Sequence, residues 1–301
     1  MPELPDVTIY VERLRALALG RTLERLRVAN PFVLRSVAPA PAAFAGARLT
    51  DVTRLGKRIV LAYEPDLFMV VHLMIAGRLH WRTPRAPLAG RTALAALDFP
   101  NGSVVLTESG STRRASLHLV RGERDLAPFR RDGVDLFHVS AEDLAVVLRR
   151  RNRTLKRVLT DPDVVDGVGN AYSDEILHRA RLSPFRQTAA MTDDEIATLL
   201  GSARAVLAEW VARLRTEGGE GLPEGVTAFR PDMAVHGRFG KPCPDCGAPV
   251  QRIRYADNEA NYCAACQTGG RLLADRALSR LLHDDWPRTL AELEERRRSP
   301  P

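Results

Sequence analysis

Four cysteines near the carboxyl end of the 301-residue chain have the spacing of a metal site. Cys243 and Cys246 form one Cys-x2-Cys pair, Cys263 and Cys266 form another, and sixteen residues separate the two pairs. Each pair can turn two thiolates toward one point, and four thiolates complete the closed tetrahedral shell of a structural Zn²⁺ ion. Disulfide bonds are the alternative, which a reducing cytoplasm disfavours. We therefore expect one structural zinc ion that holds an element in place and takes no part in catalysis.

The amino terminus offers a different chemistry. Removal of Met1 leaves Pro2 with a free secondary amine, which can condense with an aldehyde or with C1′ of a sugar. The product is a cationic iminium, an electron sink that promotes β-elimination. The neighbouring carboxylate of Glu3 can move the protons that these steps require. Because many chains begin Met-Pro-Glu, these residues indicate catalysis only in combination with the motifs that accompany them.

Three further segments have the composition of anion-binding sites. The segment Asp166-Gly-Val-Gly-Asn170 leads into a predicted helix whose free N–H groups favour a phosphate oxygen, with a plain helix cap as the alternative. Six of the nine residues from Arg149 to Arg157 are basic. Arg252 and Arg254 lie on a predicted strand between the cysteine pairs. Each basic set can grip a nucleic-acid backbone or can simply form a solvated face.

Periodic patterns divide the chain into a strand-rich part, a helical part and the cysteine-containing part. A helical stripe covers residues 7–19, and short runs then predict strands at residues 22–28, 49–54, 58–63, 67–72, 77–82, 94–99 and 104–108. Many short strands at this spacing indicate a β-sandwich or barrel. Helices are predicted at residues 140–150, 154–160, 170–180, 192–215 and 272–282, a linker at 216–225, and a hairpin at 250–263.

Composition indicates a globular protein with a polyanionic partner. Hydrophobic residues make up 45% and charged residues 27% of the chain, which suits buried cores and argues against disorder. The net charge of +7 arises in residues 1–139, which hold 20 basic and 13 acidic side chains, whereas the remainder holds 24 of each. Such a field attracts nucleic acid first. The apolar run at residues 67–77 is too short to span a membrane and no secretory signal is present, so we expect a cytoplasmic protein.

In their order along the chain, these motifs resemble those of the formamidopyrimidine-DNA glycosylase and endonuclease VIII family of base-excision repair enzymes. The resemblance rests on Pro2-Glu3-Leu-Pro-Asp6, on Leu55-Gly-Lys57-Arg58 before a strand, on Gly167-Val-Gly-Asn170-Ala-Tyr172 and on the four cysteines. It covers roughly residues 1–270, nearly all of the chain.

The resemblance implies an α+β multidomain fold. It places an N-terminal β-sandwich that carries the catalytic amino terminus at residues 1–135, a helix-two-turn-helix domain at 136–222 and a zinc-bound β-hairpin at 223–270. DNA is expected in the cleft between these domains. Residues 271–301 form a C-terminal extension outside the family pattern.

The resemblance also implies roles for individual residues. Pro2 matches the nucleophile that attacks C1′ of the damaged nucleotide, Glu3 the acid–base residue, and Lys57 the essential lysine at the sugar-phosphate. Asn170 matches the phosphate contact of the glycine loop, and Lys156 falls near a family lysine that lies close to the base pocket. All five are expected to contact or act on the DNA.

Three positions depart from the family pattern where the family reads the lesion. Ile75 stands where a void-filling methionine is usual, and Asn258 replaces the arginine of the zinc hairpin. Arg113 and Arg114 match the arginine pair of the family, but Ala115 replaces the phenylalanine wedge that follows it. Wedge contacts offset the cost of unstacking a flipped base. Their loss predicts weaker extraction of a well-stacked base.

The implied function is a bifunctional DNA glycosylase and abasic-site lyase that works through a Pro2 iminium. The departures favour a damaged pyrimidine, a single-stranded or bulky lesion or a crosslink as substrate, rather than 8-oxoguanine opposite cytosine. The expected partner is damaged, abasic or single-stranded DNA, bound by a monomer in a bacterial-type cytoplasm, where it would associate with the nucleoid. The alternatives are a non-catalytic binder of damaged or branched DNA on the same scaffold, and a basic zinc-ribbon protein for RNA.

Overall fold

The computed structural model describes residues 1–83, 87–88, 90–110, 113–223, 229–255, 258–274 and 287–298. The chain forms two compact units. The N-terminal unit comprises Met1–Arg131 and Ala208–Ala228, and the C-terminal unit comprises Asp132–Leu207 and Phe229–Pro301. The zinc hairpin therefore groups with the helical segment, whereas the sequence places a domain boundary between them at residue 222.

Two antiparallel four-stranded sheets build the N-terminal unit. Their strands are β1 (Arg25–Val28), β2 (Leu49–Leu55), β3 (Arg58–Tyr63), β4 (Leu67–His72), β5 (Gly77–Arg82), β6 (Ala93–Phe99), β7 (Gly102–Glu108) and β8 (Ser116–Arg121). One sheet has the order β1-β6-β7-β5 and the other the order β2-β3-β4-β8. Buried side chains of both sheets, such as Leu61, Met69, Leu97 and Leu106, belong to one hydrophobic cluster. Sheet faces that share a core in this way form the predicted β-sandwich.

The first helix, α1 (Leu4–Ala18), packs its apolar stripe into the same core. Val7, Tyr10 and Leu14 are fully buried in the cluster that the sheets share. The helix begins three residues before the predicted start because Glu3 and Asp6 form a capping box. In it the backbone N–H of Glu3 donates to Oδ2 of Asp6 at 2.9 Å. The cap fixes the position of the amino terminus relative to the sandwich.

Six of the seven predicted strands match the structure within two residues. The first, predicted at residues 22–28, begins at Arg25. The hairpin turn between β6 and β7 requires Gly102, whose φ is +154° and whose added Cβ would lie 2.6 Å from the ring of Trp81. Strand β8 was not among the predicted strands, although Leu117 and Leu119 alternate with the polar Ser116 and His118. It pairs along its whole length with β4.

The short helix α2 (Gly122–Leu126) lies in the N-terminal unit. The C-terminal unit contains the helices α3 (Ala141–Arg149), α4 (Leu155–Thr160) and α5 (Asn170–Arg179). The first part of α6 (Asp193–Glu217) belongs to the C-terminal unit and its last part to the N-terminal unit. The helices of this segment follow the predicted bounds within two residues. Ser140 caps α3, because its Oγ accepts the N–H of Asp143 at 3.0 Å. Among the described residues, no helix has both the length and the apolar character needed to cross a bilayer.

The zinc hairpin consists of β9 (Val250–Tyr255), β10 (Asn258–Cys263) and the short helix α7 (Ala264–Thr268). Its two strands pair in the predicted antiparallel arrangement. A final helix, α8 (Leu290–Arg298), packs Leu290 and Leu293 against a cluster that includes Tyr262 and Leu272 of the hairpin region. The predicted helix at 272–282 lies for the most part outside the described residues. The described part of the extension thus packs on the hairpin.

Candidate functional site

The residues at the amino terminus are largely buried. Pro2 is buried and Glu3 is 3% exposed. Burial lowers the pKa of the α-amino group of Met1; Arg78 and Lys57 lower it further, whereas Glu3 and Asp6 act in the opposite sense. A lowered amine pKa keeps a larger fraction of the amine unprotonated, and only that form is nucleophilic. The surroundings of the terminus therefore suit the chemistry predicted for Pro2.

Lys57 lies in the tight turn between β2 and β3. Gly56 takes a φ of +62°, and its carbonyl accepts a hydrogen bond from Nη1 of Arg54 at 3.0 Å. The turn holds Lys57 partly buried, and its charge acts on both the amino terminus and His72. The charge of Lys57 therefore reaches the amino terminus, next to which Pro2 and Glu3 lie in the chain.

His72 ends β4, opposite Arg58 on one side and Ser116 on the other. Burial lowers its pKa to about 4, and the positive charges of Arg58 and Lys57 contribute to this shift. The imidazole is therefore neutral at pH 7. A partly buried histidine that stays neutral suits a structural role in the strand.

Ile75 occupies the tip of a tight turn between β4 and β5. Its side chain is 62% exposed. The N–H of Gly77 donates to the carbonyl of Leu73 at 2.8 Å, and Nη1 of Arg78 donates to the carbonyls of Ile75 at 3.1 Å and of Gly77 at 2.6 Å. An apolar side chain that is held outward on a rigid turn can insert into a base stack.

The segment that follows β7 is anchored by Glu108. This buried carboxylate accepts the backbone N–H of Arg114 at 2.9 Å and that of Ala115 at 3.1 Å. The side chains of Arg113 and Arg114 are exposed, and a guanidinium N–H of Arg113 donates to the carbonyl of Arg91. Ala115 is 3% exposed and belongs to the sandwich core. The position aligned with the family wedge therefore faces inward, so the alanine at 115 offers no side chain to a base stack.

The glycine loop ends at the start of α5. Gly169 is the N-cap and Asn170 is the first helical residue. The side chain of Asn170 is partly exposed and makes no hydrogen bond within the described ranges. An unbonded amide side chain at a helix start suits a phosphate oxygen. This placement agrees with the contact that the resemblance implies.

Lys156 does not reach the surface. It is 5% exposed, and its ammonium group donates to the carbonyl of Asn170 at 2.7 Å, to Oγ of Ser173 at 2.8 Å and to Oδ1 of Asp174 at 2.6 Å. These acceptors use all three ammonium hydrogens. The expectation that Lys156 contacts DNA is therefore corrected, because the residue holds the start of α5 in place.

The basic segment 149–157 is only partly available to an anion. Arg149 pairs with Asp193 and Arg153 pairs with Asp161, each at 2.6 Å. The remaining arginine side chains, Arg150, Arg151 and Arg157, are exposed. Arg153 and Arg157 line a cleft of about 350 Å³. Half of the six basic residues therefore form an outward cationic face.

Acidic residues of α5 tie this helix to the zinc region, a role that sequence reasoning missed. The Glu175 carboxylate accepts the backbone N–H groups of residues 234, 235 and 236 at 2.7, 2.9 and 2.9 Å. Oδ2 of Asp174 lies 2.8 Å from Nδ1 of His236 and 3.3 Å from Nδ2 of Asn261. The only local signal in the sequence was the adjacent acidic pair.

The four cysteines converge as predicted. Their sulfur atoms all lie within 4.8 Å of one another, with Cys243 Sγ 3.9 Å from Cys266 Sγ and Cys246 Sγ 3.4 Å from Cys263 Sγ. A tetrahedral ion with Zn–S bonds of about 2.3 Å requires sulfur separations of about 3.8 Å. The donor set therefore fits one Zn²⁺ ion, for which Cys243, Cys246, Cys263 and Cys266 are the ligands.

The arginines of the hairpin differ in exposure. Arg252 stacks 4.4 Å from the ring centre of Phe239 and lies 3.8 Å from Oε2 of Glu259. Arg254 is exposed on the same strand. Asn258 begins β10, and its side chain lies outside the described part of the structure. Arg254 is thus the arginine of β9 that faces solvent.

Comparison with known proteins gives matches along most of the chain. The family model of the formamidopyrimidine-DNA glycosylase N-terminal domain matches residues 1–113, and that of the formamidopyrimidine-DNA glycosylase H2TH domain matches residues 135–218. The zinc finger found in FPG and IleRS matches residues 240–269. These three segments follow the order that the motifs predicted.

Individual relatives match over nearly their full length. A formamidopyrimidine-DNA glycosylase of Thermus thermophilus is 36% identical over 282 residues, which cover 90% of this chain and all of the relative. That of Moorella thermoacetica is 33% identical over 279 residues, covering 84% of this chain and 95% of the relative. A Mycobacterium tuberculosis protein described as formamidopyrimidine-DNA glycosylase-like is 42% identical over 150 residues, which cover half of this chain and 93% of that protein.

Solved structures show the same fold. The structure of the Thermus thermophilus protein gives a TM-score of 0.74 at 32% identity, covering 88% of this chain and 98% of that one. The Lactococcus lactis structure, a complex with DNA that contains an abasic site, gives 0.76 at 21% identity, covering 88% and 99%. The fold, the zinc site and the resemblance are confirmed. The chain belongs to the formamidopyrimidine-DNA glycosylase family and is a DNA glycosylase of base-excision repair.

Proposed function

We propose that this DNA glycosylase is bifunctional: it removes a damaged base and then cleaves the DNA strand at the resulting abasic site. The observation that carries the proposal is the buried amino terminus, where Pro2 lies beside the Glu3 carboxylate and within the field of Lys57. A binding protein has no need for this combination of a buried amino terminus, a buried carboxylate and a nearby cation.

The proposed reaction begins when the Pro2 nitrogen, freed by removal of Met1, attacks C1′ of the flipped nucleotide. The C1′–N bond to the base breaks, and the base leaves with a proton. Loss of the amine proton and opening of the sugar ring give an iminium, with Glu3 moving protons between the amine and the ring oxygen. The iminium acidifies the hydrogen on C2′, and its removal expels the 3′ phosphate. Water finally hydrolyses the enzyme–sugar bond and frees Pro2.

The lesion-reading residues support a substrate that leaves the helix easily. Ala115 is buried, so it provides no wedge, and Ile75 is the exposed apolar residue of this region. Unstacking a well-paired base costs a few kcal/mol, whereas a base in single-stranded or distorted DNA is already partly unstacked. We therefore favour damaged pyrimidines and single-stranded, bulky or crosslinked lesions over 8-oxoguanine opposite cytosine. Asn170, Arg254 and the exposed Arg113 and Arg114 would contact the backbone of the bound DNA.

The enzyme is proposed to act as a monomer on chromosomal DNA. A non-catalytic binder of damaged or branched DNA is the second candidate, and the absence of a wedge at Ala115 is the observation that favours it. Incubating the protein with oligonucleotides that carry 8-oxoguanine opposite cytosine, an oxidised pyrimidine in duplex and in single-stranded form, or an abasic site separates the candidates. Base release with strand scission supports the enzyme, and tight binding without either product supports the binder. Family-typical excision of 8-oxoguanine from an ordinary duplex would contradict the narrower substrate.

A further inference from the structure

His178 lies against one of the zinc ligands. Its Nε2 is 3.3 Å from Sγ of Cys243, and the two residues are each 3% exposed. His178 belongs to the last turn of α5, which lies outside the Cys-x2-Cys pairs and the hairpin between them. The four cysteine sulfurs already complete a tetrahedral shell, so this imidazole is not needed as a ligand.

The surroundings of Nε2 determine which ring nitrogen carries the hydrogen. Besides the Cys243 sulfur, Oδ2 of Asp245 faces it at 3.9 Å. A zinc-bound cysteine is a thiolate, and thiolates and carboxylates only accept hydrogen bonds. Nε2 must therefore carry the hydrogen and donate it toward the sulfur.

We propose that His178 is a positioning residue of the zinc site, which donates an N–H···S hydrogen bond to the Cys243 thiolate and so slows the loss of zinc. Four thiolates give a Zn²⁺ site an excess of two negative charges, and a donor to one sulfur relieves part of that excess. Outer partners of this kind typically change metal affinity by about 10- to 100-fold.

The donor is held in place by the helix and not by the hairpin. Glu175 fastens α5 to the backbone of residues 234–236, and Arg181, just beyond the helix, pairs with Asp245 at 2.9 Å. These contacts fix the position of the imidazole before metal binds. Zinc retention is therefore coupled to the helix that begins at Asn170, and the metal site depends on a residue outside the zinc finger.

The first test measures zinc transfer from the full-length, zinc-loaded protein to the chelator 4-(2-pyridylazo)resorcinol. His178→Phe keeps the ring volume but removes the donor, and His138→Phe is the matched control because the His138 side chain is 85% exposed. We expect release from His178→Phe to be about 10- to 100-fold faster than from the wild type. Release should be unchanged in the control and partly restored in His178→Gln, whose amide can donate. Wild-type release from folded His178→Phe would overturn the proposal.

The second test needs no variant, so a folding defect in His178→Phe leaves the proposal testable. Nitrogen-15 NMR of the zinc-loaded wild-type protein, labelled at histidine, reports which ring nitrogen carries hydrogen. We expect His178 to be protonated at Nε2, and replacement of zinc by ¹¹³Cd to give a coupling between that hydrogen and the metal through Sγ of Cys243. A His178 protonated only at Nδ1 would overturn the proposal. Neither test depends on base excision, so its outcome is separate from that of the proposed function.

Discussion

Lys156 and Asp174 form a buried ion pair, in which Nζ lies 2.6 Å from Oδ1 and the side chains are 7% and 0% exposed. The pair connects α4 to α5 near the first residue of α5, Asn170, whose carbonyl also accepts a hydrogen bond from Lys156. His236 and Asn261 contact the other carboxylate oxygen, so the pair also links the helices to the zinc region. A lysine that sequence reasoning assigned to the DNA surface thus holds the residue that we expect to face the DNA.

Replacing Lys156 by Met should therefore destabilise the protein. Removing one partner of a buried pair leaves the other charge unpaired, which typically costs about 3–5 kcal/mol. We expect the free energy of unfolding in urea to fall by about that amount in Lys156→Met. The exposed neighbour Arg157→Met is the control, with an expected change of about 0.5 kcal/mol or less. A Lys156→Met protein of normal stability that binds DNA weakly would instead indicate direct contact.

Replacing Ile75 by Ala should impair excision without affecting folding. The side chain is 62% exposed, so the free energy of unfolding should change by about 0.5 kcal/mol or less. Single-turnover excision of one lesion should be slower in duplex DNA, because the gap left by the flipped base must be filled. Excision of the same lesion from single-stranded DNA should slow much less. Val37→Ala, at a 99% exposed position, is the control. Equal slowing on both substrates would contradict the role of Ile75 in filling the stack.

Acid should destabilise the protein in a pH range that His72 sets. Its pKa falls from the ordinary value of 6.5 to about 4 in the folded protein. Between these values the unfolded chain binds a proton that the native state excludes, so stability falls as the pH is lowered and levels off below about 4. His72 accounts for up to about 3 kcal/mol of this loss. In urea unfolding of His72→Gln, the free energy of unfolding should decline less with falling pH over this range than in the wild type. The exposed-site variant His138→Gln should decline as the wild type does.

The exposed arginines of segment 149–157 should account for part of the salt dependence of DNA binding. Each phosphate contact contributes about 0.9 to the slope of log K against log salt. Replacing Arg151 and Arg157 by Gln should reduce the slope by about 1.8 if both contact phosphate. Arg149→Gln, which removes an arginine already paired with Asp193, should change it much less. Unchanged slopes in the double variant would show that this face does not meet the DNA.

The elements that sequence could predict are those with local signals. The apolar runs at residues 58–63 and 67–72 and the spacing of Cys243, Cys246, Cys263 and Cys266 are contained within short segments, and the structure confirms them. Strand β8 has only a short alternation, at residues 116–119, and its pairing with β4 joins residues far apart in the chain, such as Leu67 and Arg121.

The candidate site was predictable where chemistry follows from residue type and not where it follows from burial. Pro2 and Glu3 are adjacent in the chain, and both are buried. Lys156 was misassigned because its partner Asp174 is 18 positions away. The bonds from the backbone of residues 114 and 115 to Glu108 had no sequence signal, because the carboxylate lies six and seven positions earlier. His178 offered no signal, since Cys243 lies 65 residues further along the chain.

The central claim is that the Pro2 amine attacks the sugar, and borohydride trapping tests it most directly. The protein is incubated with an abasic-site duplex and borohydride, which reduces an enzyme–DNA iminium to a stable adduct that peptide mass spectrometry can locate. We predict a single adduct on Pro2 of the methionine-processed protein. The adduct should be absent when a Gly-Ser extension blocks the amino terminus and present when the same extension is placed at the carboxyl terminus. An adduct on Lys57, or equal trapping by the amino-terminally extended protein, would contradict the account.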